Sequence, residues 1–485
     1  MVETLVRAGI QPTHRAQAAP ALLIERYRLR PDARLEDADG RLSLHVGRWE
    51  ANVRDLGRSR QEVLRRLDDG WLDDTELARL AARFGGEKEI MPCHLLVQSL
   101  AKRGWLARAI QWAGRDLVEV IPHAIGDKRR SAATLADPDQ EYRLSKHCAI
   151  VEVNGRFGLR SFDWRHTVVV DDSRLVGAMA QSLSGLTAAQ LGVASALGRP
   201  AVLRTIGALL EAGILVMCGG EAAALQYWDS DELRLHARSR AGSHTFPIGA
   251  TYRFRDQAQP EPLQKPAPAG EVVSLPECAP PSPSFRAVLE ARRSIRDHDD
   301  DAPISLAQLS VFLRQTQATK PSGRADGQEV GSRPYPTAGG ICELETYVLA
   351  NRCDGLPPGL YWYESVHHGL RLIARPGRMS DRMLNYARAA SGAARPPQLL
   401  LVITSRLYRL AWKYEGLAYS MSLRNAGALL GQMYLVATAL GLAPCALGTA
   451  DSEAFAALSG IDALAEPCLA DFMLGSKLDA GRGAS

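Results

Sequence analysis

QLLLVITSRLYRLAWKYEGLAYSMSLRNAGALLGQMYLVATALGL, residues 398–442, is the stretch that decides the fold of this chain. It opens on the apolar run Leu399–Ile403, which is typical of a buried strand. After a polar cluster, the proline-free segment Leu417–Leu440 predicts about six turns of helix with small and apolar residues on several faces. Such a helix belongs in a large core or an interface. The stretch therefore predicts that Lys413 and Tyr414 lie at the mouth of a central helix.

Composition limits the function classes that need to be considered. The chain has 485 residues, 46% apolar and 23% charged, with a net charge of only +4, so nucleic acid is not an expected partner. Its eight cysteines are scattered without a C-x-x-C pair, which predicts neither a metal site nor a thiol redox motif. The first twenty residues lack the apolar core of a signal peptide, and no long charge-free apolar run predicts a membrane span. We expect a cytoplasmic protein with reduced thiols.

A proline-rich segment divides the sequence. Asp256–Ser284 contains eight prolines and is predicted to form an extended, semi-rigid linker, residues 256–284. It separates an N-terminal half from a C-terminal domain, residues 285–485.

The N-terminal half contains a weak internal repeat. Val97–Leu106 reads VQSLAKRGWL and Ile206–Leu215 reads IGALLEAGIL, each typical of a helix that ends at a glycine before a short strand. Together with the preceding helix-turn-helix patterns, they predict two winged-helix-like modules, residues 1–125 and 126–255. Because their second helices are not strongly basic, a peptide or protein partner is the favoured interpretation and inert packing modules are the alternative.

The C-terminal domain opens with a candidate phosphate site. After a predicted helix at Phe285–Ala291, the segment RRSIR supplies Arg292, Arg293, Ser294 and Arg296, whose guanidiniums and hydroxyl suit a phosphate. The acidic residues that follow at 297–301 could neutralise the arginines instead, so the sequence leaves both interpretations open.

Loops and strands alternate through the rest of the domain. The segment 333–340, RPYPTAGG, predicts a loop whose small residues allow a flat ligand to approach the backbone, and it leads into the strand Leu344–Ala350. A hairpin is predicted at 359–373, a loop at 441–448 and a short helix at Ser452–Leu458. The pattern predicts an α+β sandwich.

Five C-terminal motifs, in this order, resemble the flavin-dependent nitroreductase family, and within it the SagB-type (McbC-like) azoline dehydrogenases. They are the HARSR…TYRF segment within Leu235–Phe254, the RRSIR motif, the PYPTAGG loop, the GLPPGLYWY segment at 355–363 and the Trp412-Lys413-Tyr414 motif. The resemblance covers about 235–485. Residues 340–343, Gly-Ile-Cys-Glu, depart from the alanine-leucine-histidine-proline run that is more frequent in the family.

The resemblance implies an α+β nitroreductase-like sandwich, an antiparallel-rich sheet flanked by helices, that forms a homodimer and binds FMN between its subunits. The cofactor-binding residues that it implies are Arg292, Arg293, Ser294, Arg296, Pro336, Thr337, Ala338, Gly339, Gly340, Ala446, Leu447 and Gly448. The implied reaction is the oxidation of thiazoline or oxazoline rings to thiazole or oxazole in a ribosomally made peptide.

The partners that the resemblance implies are the cyclised precursor peptide, a YcaO-type cyclodehydratase complex and dioxygen as electron acceptor. The catalytic residues would be Lys413 and Tyr414. Either the lysine ammonium favours a tyrosinate, or a desolvated lysine is itself the base.

Two other functions fit the same sequence. One is a nitro- or quinone reductase that uses NAD(P)H, although no Gly-rich dinucleotide fingerprint is present. The other is a catalytically idle flavin domain that serves as a scaffold for a peptide-modifying complex. The presence of both Lys413 and Tyr414 favours catalysis over the scaffold.

Overall fold

The chain divides between Phe246 and Pro247 in the computed structural model, which describes residues 22–38, 41–47, 49–53, 56–126 and 136–478. The first unit is Met1–Phe246 and the second is Pro247–Ser485. The molecule is an α+β protein with an N-terminal α/β region and a C-terminal sheet flanked by helices.

The first unit alternates short strands and helices. Its strands are β1 Leu23–Leu29, β2 Arg34–Ala38, β3 Arg41–Val46, β4 Trp49–Val53, β5 Leu72–Asp73, β6 Leu106–Trp112, β7 Arg115–Pro122, β8 Glu141–Leu144, β9 Ala149–Val153, β10 Arg156–Arg160, β11 His166–Val170, β12 Leu186–Thr187 and β13 Leu215–Met217. Its helices are α1 Arg58–Asp69, α2 Asp74–Gly85, α3 Ile90–Lys102, α4 Ser173–Gln181, α5 Ala188–Ser195, α6 Arg199–Glu211 and α7 Ser230–Arg238.

One antiparallel sheet joins the two halves of this unit. Its order is β5-β1-β6-β7-β11-β10-β9, so strands from both predicted modules are hydrogen-bonded in a single sheet. Two further sheets, β2-β3-β4 and β12-β8-β13, complete the unit. The apolar core is also divided in two, one cluster around α1, α2 and α3 and the other around α4, α5 and α6.

The sequence repeat corresponds to a repeated helix end. Gly104 and Gly213 both have positive φ, and the next residue in each copy bonds back to the helix: Trp105 N–H donates to Leu100 O at 3.0 Å and Ile214 N–H to Leu209 O at 2.9 Å. The glycine lacks the Cβ that would oppose this left-handed turn. The element order helix, short strand, helix, helix, strand therefore occurs twice, in α1-β5-α2-α3-β6 and in α4-β12-α5-α6-β13.

The second unit is a seven-stranded antiparallel sheet with helices on both faces. Its strands are β14 Val272–Ser274, β15 Lys320–Ala325, β16 Gln328–Ser332, β17 Leu344–Ala350, β18 Gly359–Glu364, β19 Gly369–Ala374, β20 Leu399–Ser405, β21 Leu442–Leu447 and β22 Cys468–Ser476. Its helices are α8 Phe285–Ala291, α9 Leu306–Gln317, α10 Arg378–Ser391, α11 Leu407–Lys413, α12 Ala418–Ala439 and α13 Ser452–Ser459. The sheet order is β14-β19-β18-β17-β20-β22-β21, while β15 and β16 form a separate hairpin.

The sheet has one core on each face. Residues of α9 and α12 pack with Leu401 and Ile403 on one face, whereas residues of α10 and α13 pack with Leu400 and Val402 on the other. This alternation follows from the period of two in a strand. It explains why the run Leu399–Ile403 is apolar throughout.

The proline-rich segment is ordered within the second unit. Its residues Val272–Ser274 form β14 at the sheet edge, Leu275 is buried, and Lys265 Nζ donates to Tyr347 Oη at 2.6 Å. The unit boundary thus falls before this segment and not at 255/256 or 284/285. Proline is tolerated at a sheet edge because no ladder hydrogen bond is required of its missing N–H.

The expected loop at 441–448 is instead mostly strand. Leu442–Leu447 forms β21, which pairs in register with β22 at the other edge of the sheet. Pro444 marked the segment as irregular in sequence, but an edge strand accepts proline. In the part of the chain that the structure describes, no single helix is long and apolar enough to span a membrane; α5 and α6 pass that test only as a pair bent by 109°.

Candidate active site

Lys413 and Tyr414 lie where two helices of the second unit are interrupted. The helix α11 ends at Lys413, Tyr414 has extended backbone angles (φ −106°, ψ 138°), and α12 begins at Ala418. Gly416 between them has a φ of 70°. Neighbours in a continuous helix point about 100° apart, so the break is what allows both side chains to reach one place.

The glycine-rich loop lies directly against this pair. A Cβ added to Gly339 would stand 2.8 Å from Tyr414 Oη and 3.7 Å from Lys413 Nζ, and the φ of Gly339 is +60°. Gly340 also has a positive φ, and Ala338–Gly340 forms a single 3-10 turn. Glycine is therefore required both by the backbone and by the approach of the tyrosine hydroxyl.

The rest of the predicted loop surrounds that contact. Pro336 is exposed, Thr337 Oγ1 lies 3.9 Å from Cys342 Sγ, and Tyr335 is buried. Arg333 stabilises the loop by donating one hydrogen bond to Tyr335 Oη, at 2.8 Å, and one to Leu344 O, at 2.6 Å. The loop is thus fixed at both of its ends.

A carboxylate completes the surroundings of the lysine. Asp326 Oδ2 accepts hydrogen bonds from Lys413 Nζ, at 3.3 Å, and from the Tyr252 hydroxyl. Burial by itself would lower the pKa of Lys413, but the hydrogen bonds to Tyr252 and Asp326 outweigh it and raise the pKa above its usual value. A raised pKa favours the ammonium form of Lys413 over the desolvated lysine base, the other alternative that the sequence leaves open.

Residues 250–258, at the start of the proline-rich segment and just before it, lie across α11 and are called the strap. Tyr252 N–H donates to Lys413 O at 3.2 Å, Ala250 forms a bridge with Tyr414, and the Trp412 indole N–H donates to Ala258 O at 3.0 Å. Of the HARSR…TYRF segment, the TYRF part belongs to the second unit and fixes the lysine-tyrosine motif, whereas HAR ends α7 in the first unit.

The predicted phosphate residues meet at a second place, around Tyr434 of α12. The Tyr434 hydroxyl lies 2.9 Å from Ser294 Oγ and accepts a hydrogen bond from Ala446 N–H at 2.8 Å. The Arg292 guanidinium lies 5.4 Å from the centre of the Tyr434 ring. Ile295 N–H donates to Pro444 O at 2.8 Å, so the basic segment is anchored to β21.

Free positive charge remains at this place. Among the described residues, no carboxylate pairs with Arg292, Arg293 or Arg296, all of which are exposed. The neighbouring acids have other partners: Asp300 binds Arg352 and Arg395. Neutralisation by the acidic segment is therefore not what the structure shows, and the guanidiniums remain available to an anion.

The other predicted residues of this place have different surroundings. Ala446 presents its backbone N–H to Tyr434, Leu447 is buried in the core under α10 and α13, and Gly448 is exposed just after β21. The structure thus brings Arg292, Ser294 and Ala446 together, and separately brings Gly339 to Lys413 and Tyr414.

Two residues of the site were absent from the sequence-based set. Asp326 sits with Gly327 in a turn between β15 and β16, with φ of 54° and 88°. An Asp-Gly pair is a hairpin signal, so the turn could have been predicted, but its contact with Lys413 could not. Tyr252 was quoted within the TYRF motif without a role.

A buried carboxyl lies at the point where the sequence departs from the family pattern. Glu343 is fully buried, and its Oε1 accepts a hydrogen bond from Asn425 Nδ2 at 2.9 Å. Burial raises the pKa of Glu343. The residue therefore joins the end of the loop to α12 through a polar contact.

Comparisons with known proteins agree with this architecture. Residues 289–475 match the family model described as the nitroreductase family. MJ1384 of Methanocaldococcus jannaschii, assigned as a nitroreductase, is 26% identical over 161 residues, which are 33% of this chain and 76% of that protein.

Several solved structures are similar to part of this chain. A protein from Anabaena variabilis assigned as a nitroreductase is 25% identical with a TM-score of 0.37, covering 52% of this chain and 47% of that one. A chain of the E. coli microcin synthetase McbBCD complex with truncated pro-MccB17 bound is 18% identical with a TM-score of 0.34, covering 53% and 99%. Two similar nitroreductase structures are complexes with FMN.

The matched region begins within α8 and ends within β22, so it contains the site residues predicted from the sequence and Asp326, but excludes Tyr252 and the first unit. Residues 289–475 are therefore similar to the nitroreductase family, and the N-terminal α/β region lies outside the match.

Proposed function

We propose that this protein is an FMN-dependent dehydrogenase that oxidises thiazoline or oxazoline rings to thiazole or oxazole in a ribosomally made peptide. The observation that carries the proposal is the convergence of the Lys413 ammonium and the Tyr414 hydroxyl on the glycine loop at Gly339. The motif order in the sequence resembles that of azoline dehydrogenases within the nitroreductase family, which supports this proposal.

The residues present fit FMN. Guanidiniums of Arg292, Arg293 and Arg296 without a carboxylate partner suit the phosphate, because arginine offers permanently charged, bidentate donors. The Gly339–Gly340 turn offers a surface without side chains to a flat ring. Together they provide a charged end and a flat end, as the cofactor requires.

The chain's own groups account for the proton chemistry. Aromatising an azoline removes a proton from the former Cα and a hydride from the neighbouring ring carbon, and bound FMN would accept the hydride. Tyr414 is the proposed base and takes the proton at Oη, while the ammonium of Lys413 lies 5.7 Å from the centre of its ring. Dioxygen is the proposed final electron acceptor.

A homodimer would bring the two clusters to one cofactor. Within one chain they lie near opposite ends of α12, and the helix from Ala418 to Tyr434 alone spans about 24 Å. One FMN cannot reach from one cluster to the other over that separation. A second copy that offers its glycine loop to the arginines of the first would complete the site.

The exposed face of α12 supports that arrangement. Tyr419 and Leu423 are 39% and 40% exposed, and Cβ atoms added at Gly427 and Gly431 would meet nothing within 4 Å. Small and apolar residues on an uncovered helix face are typical of a helix that packs closely on another.

The first unit supports a role in recognising the cyclised precursor peptide or a YcaO-type cyclodehydratase. Its twice-repeated element order of helix, short strand, helix, helix and strand is compatible with winged-helix-like modules. An open cleft between α5 and α6 is lined by small and apolar residues, among them Ala189, Val193 and Val202. The basic face that DNA recognition would need is missing from the second helices, so a peptide or protein is the better partner.

Mass spectrometry tests the proposal directly. Purified protein is incubated in air with a cyclised, azoline-containing peptide and with the same peptide before cyclisation. We expect the loss of two hydrogen atoms for each ring from the first peptide and no change in the second. An unchanged cyclised peptide, with flavin bound to the protein, would contradict the proposal.

A nitro- or quinone reductase that uses NAD(P)H is the second candidate, favoured by the match to the nitroreductase family. Consumption of NADPH in the presence of a quinone distinguishes it. Rapid NADPH oxidation without any azoline oxidation would favour the reductase.

A further inference from the structure

Asp326 receives two hydrogen bonds on the same carboxylate oxygen, one from the Lys413 ammonium at 3.3 Å and one from the Tyr252 hydroxyl. The ammonium also lies 5.7 Å from the centre of each of two tyrosine rings, Tyr252 and Tyr414. A carboxylate and two aromatic faces therefore surround one cation.

The backbone is arranged to deliver these groups. Asp326 has a φ of 54° in the turn between β15 and β16, a conformation that aspartate and asparagine tolerate better than other side chains. Tyr252 has a φ of 53°, unusual for a bulky residue, and its ring packs edge-on against Trp412 with centres 5.6 Å apart. Strained conformations of this kind persist where the surroundings fix them.

Other charges face the same group. Arg255 lies 4.5 Å from the centre of the Tyr252 ring, and Glu415 accepts a hydrogen bond from Thr251 Oγ1 at 3.2 Å. The hydrogen bond from Tyr252 is the largest of the effects that lower the pKa of Asp326, followed by that from Lys413. Asp326 is thus ionised across the pH range of an enzyme assay.

We propose that Asp326 and Tyr252 are positioning residues that hold Lys413 beside Gly339 and Tyr414 as an ammonium ion. The inference deepens the proposed function and rests on it for its catalytic meaning. An ammonium ion cannot accept a proton, so Lys413 would not be the base. Tyr414 would then accept the proton from the azoline ring. The alternative is an ordinary surface ion pair, since half of the Asp326 side chain is exposed, and such a pair would leave the charge of Lys413 unaffected.

Two variants and one control separate these possibilities. Asp326→Asn removes the charge but retains a side chain that accepts the turn conformation, and Tyr252→Phe removes one hydroxyl. Glu277→Gln is the control, because it removes a carboxylate from another surface ion pair, with Arg314 at 3.0 Å. All are made in the full chain with flavin bound.

The first readout does not require activity. Reaction of Lys413 Nζ with an amine-selective reagent is followed against pH by mass spectrometry. In Asp326→Asn the midpoint should move to lower pH, and labelling below the midpoint should rise about tenfold for each unit of pKa. Tyr252→Phe should show a smaller shift in the same direction, and Glu277→Gln none. Unchanged midpoints in both site variants would overturn the proposal.

The second readout is the pH profile of azoline oxidation. Activity that needs the ammonium is lost as pH rises through the pKa of Lys413, so Asp326→Asn should move this alkaline limb to lower pH and reduce kcat more than it changes KM. Higher activity of Asp326→Asn at neutral pH would overturn the inference, because a freed amine would then be the base. A wild-type protein without azoline activity would contradict the proposed function alone, and the labelling experiment would still decide the inference.

Discussion

Single residues at the break between α11 and α12 carry the proposed chemistry. Because the helix ends at Lys413 and Tyr414 is extended, two adjacent side chains approach the same glycine, which a continuous helix would not allow. The raised pKa of Lys413 makes it the cation of the pair, with burial opposing and hydrogen bonds to Tyr252 and Asp326 prevailing. The division of roles between the two residues follows from these contacts.

Removing either member of the pair should stop oxidation without releasing flavin. Tyr414→Phe and Lys413→Ala should lower the rate of azoline oxidation by about 10²–10⁴-fold, the usual effect of a positioned acid-base group. Tyr408→Phe is the matched control, since Tyr408 is an exposed tyrosine of the same short helix. Rates are measured by mass spectrometry at equal flavin content, and near wild-type rates in both site variants would place the base elsewhere.

A buried carboxyl far from the pair gives a pH-dependent stability. Burial, and then the charge of Asp451, raise the pKa of Asp471 to about 7. Between its unfolded pKa near 4 and about 7 the native state binds more protons than the unfolded state, so this residue lowers stability as pH rises. Asp471→Asn should therefore stabilise the protein by roughly 1–3 kcal/mol at pH 8 and have little effect near pH 4.

Thermal or denaturant unfolding of wild type and Asp471→Asn at both pH values measures this difference. Asp381→Asn, which changes an exposed carboxyl in the first turn of α10, is the control. An equal effect of Asp471→Asn at both pH values would show that its titration does not contribute.

Among the elements, the segment after α8 and the end of α12 form the proposed anion site. Arg292→Ala with Arg293→Ala should release most of the FMN, because hydrogen bonds between charged groups contribute roughly 1.5–3 kcal/mol each. Arg286→Ala is the control, since this exposed arginine of α8 pairs with Glu290. The FMN content of each variant is measured after gel filtration. Full retention of FMN by the double variant would contradict the proposed anion site.

Elements with a clear local pattern were predictable from sequence, and contacts between distant segments were not. The apolar run at 399–403, the long helix and the Gly359–Glu364 hairpin strand appear as expected. Two proline-containing segments were misjudged, because β14 and β21 gain their stability from partners at the sheet edges. The contact of Asp326 with Lys413 joins positions 87 apart in the chain, beyond the reach of any local pattern.

At the scale of the whole molecule, the proposed site requires two copies of the chain. We expect a dimer in solution by light scattering, with the exposed face of α12 in its interface. Leu423→Arg should weaken the dimer and the retention of FMN together, whereas Leu464→Arg, at another exposed apolar residue, should affect neither. A monodisperse monomer with full flavin occupancy would contradict the shared site.

The proposed recognition of the precursor peptide belongs to the first unit, which ends at Phe246, and the proposed chemistry belongs to the second unit. A protein that begins at Pro247 retains the strap around Tyr252 and should bind FMN and oxidise short azoline peptides, but lose activity on the full precursor. One that begins at Pro266 lacks the strap and should be impaired on both. Equal activity of the Pro247 protein on the full precursor would remove the recognition role of the first unit.

In the proposed reaction, electrons enter the flavin from an azoline ring. The most direct measurement is anaerobic mixing of the FMN-bound protein with a cyclised peptide, while the absorbance of oxidised flavin is followed. We expect the absorbance to fall by the equivalent of one oxidised flavin for each ring oxidised. Tyr414→Phe should slow this step, and NADPH should not replace the peptide. Rapid bleaching by NADPH and none by the azoline peptide would contradict it.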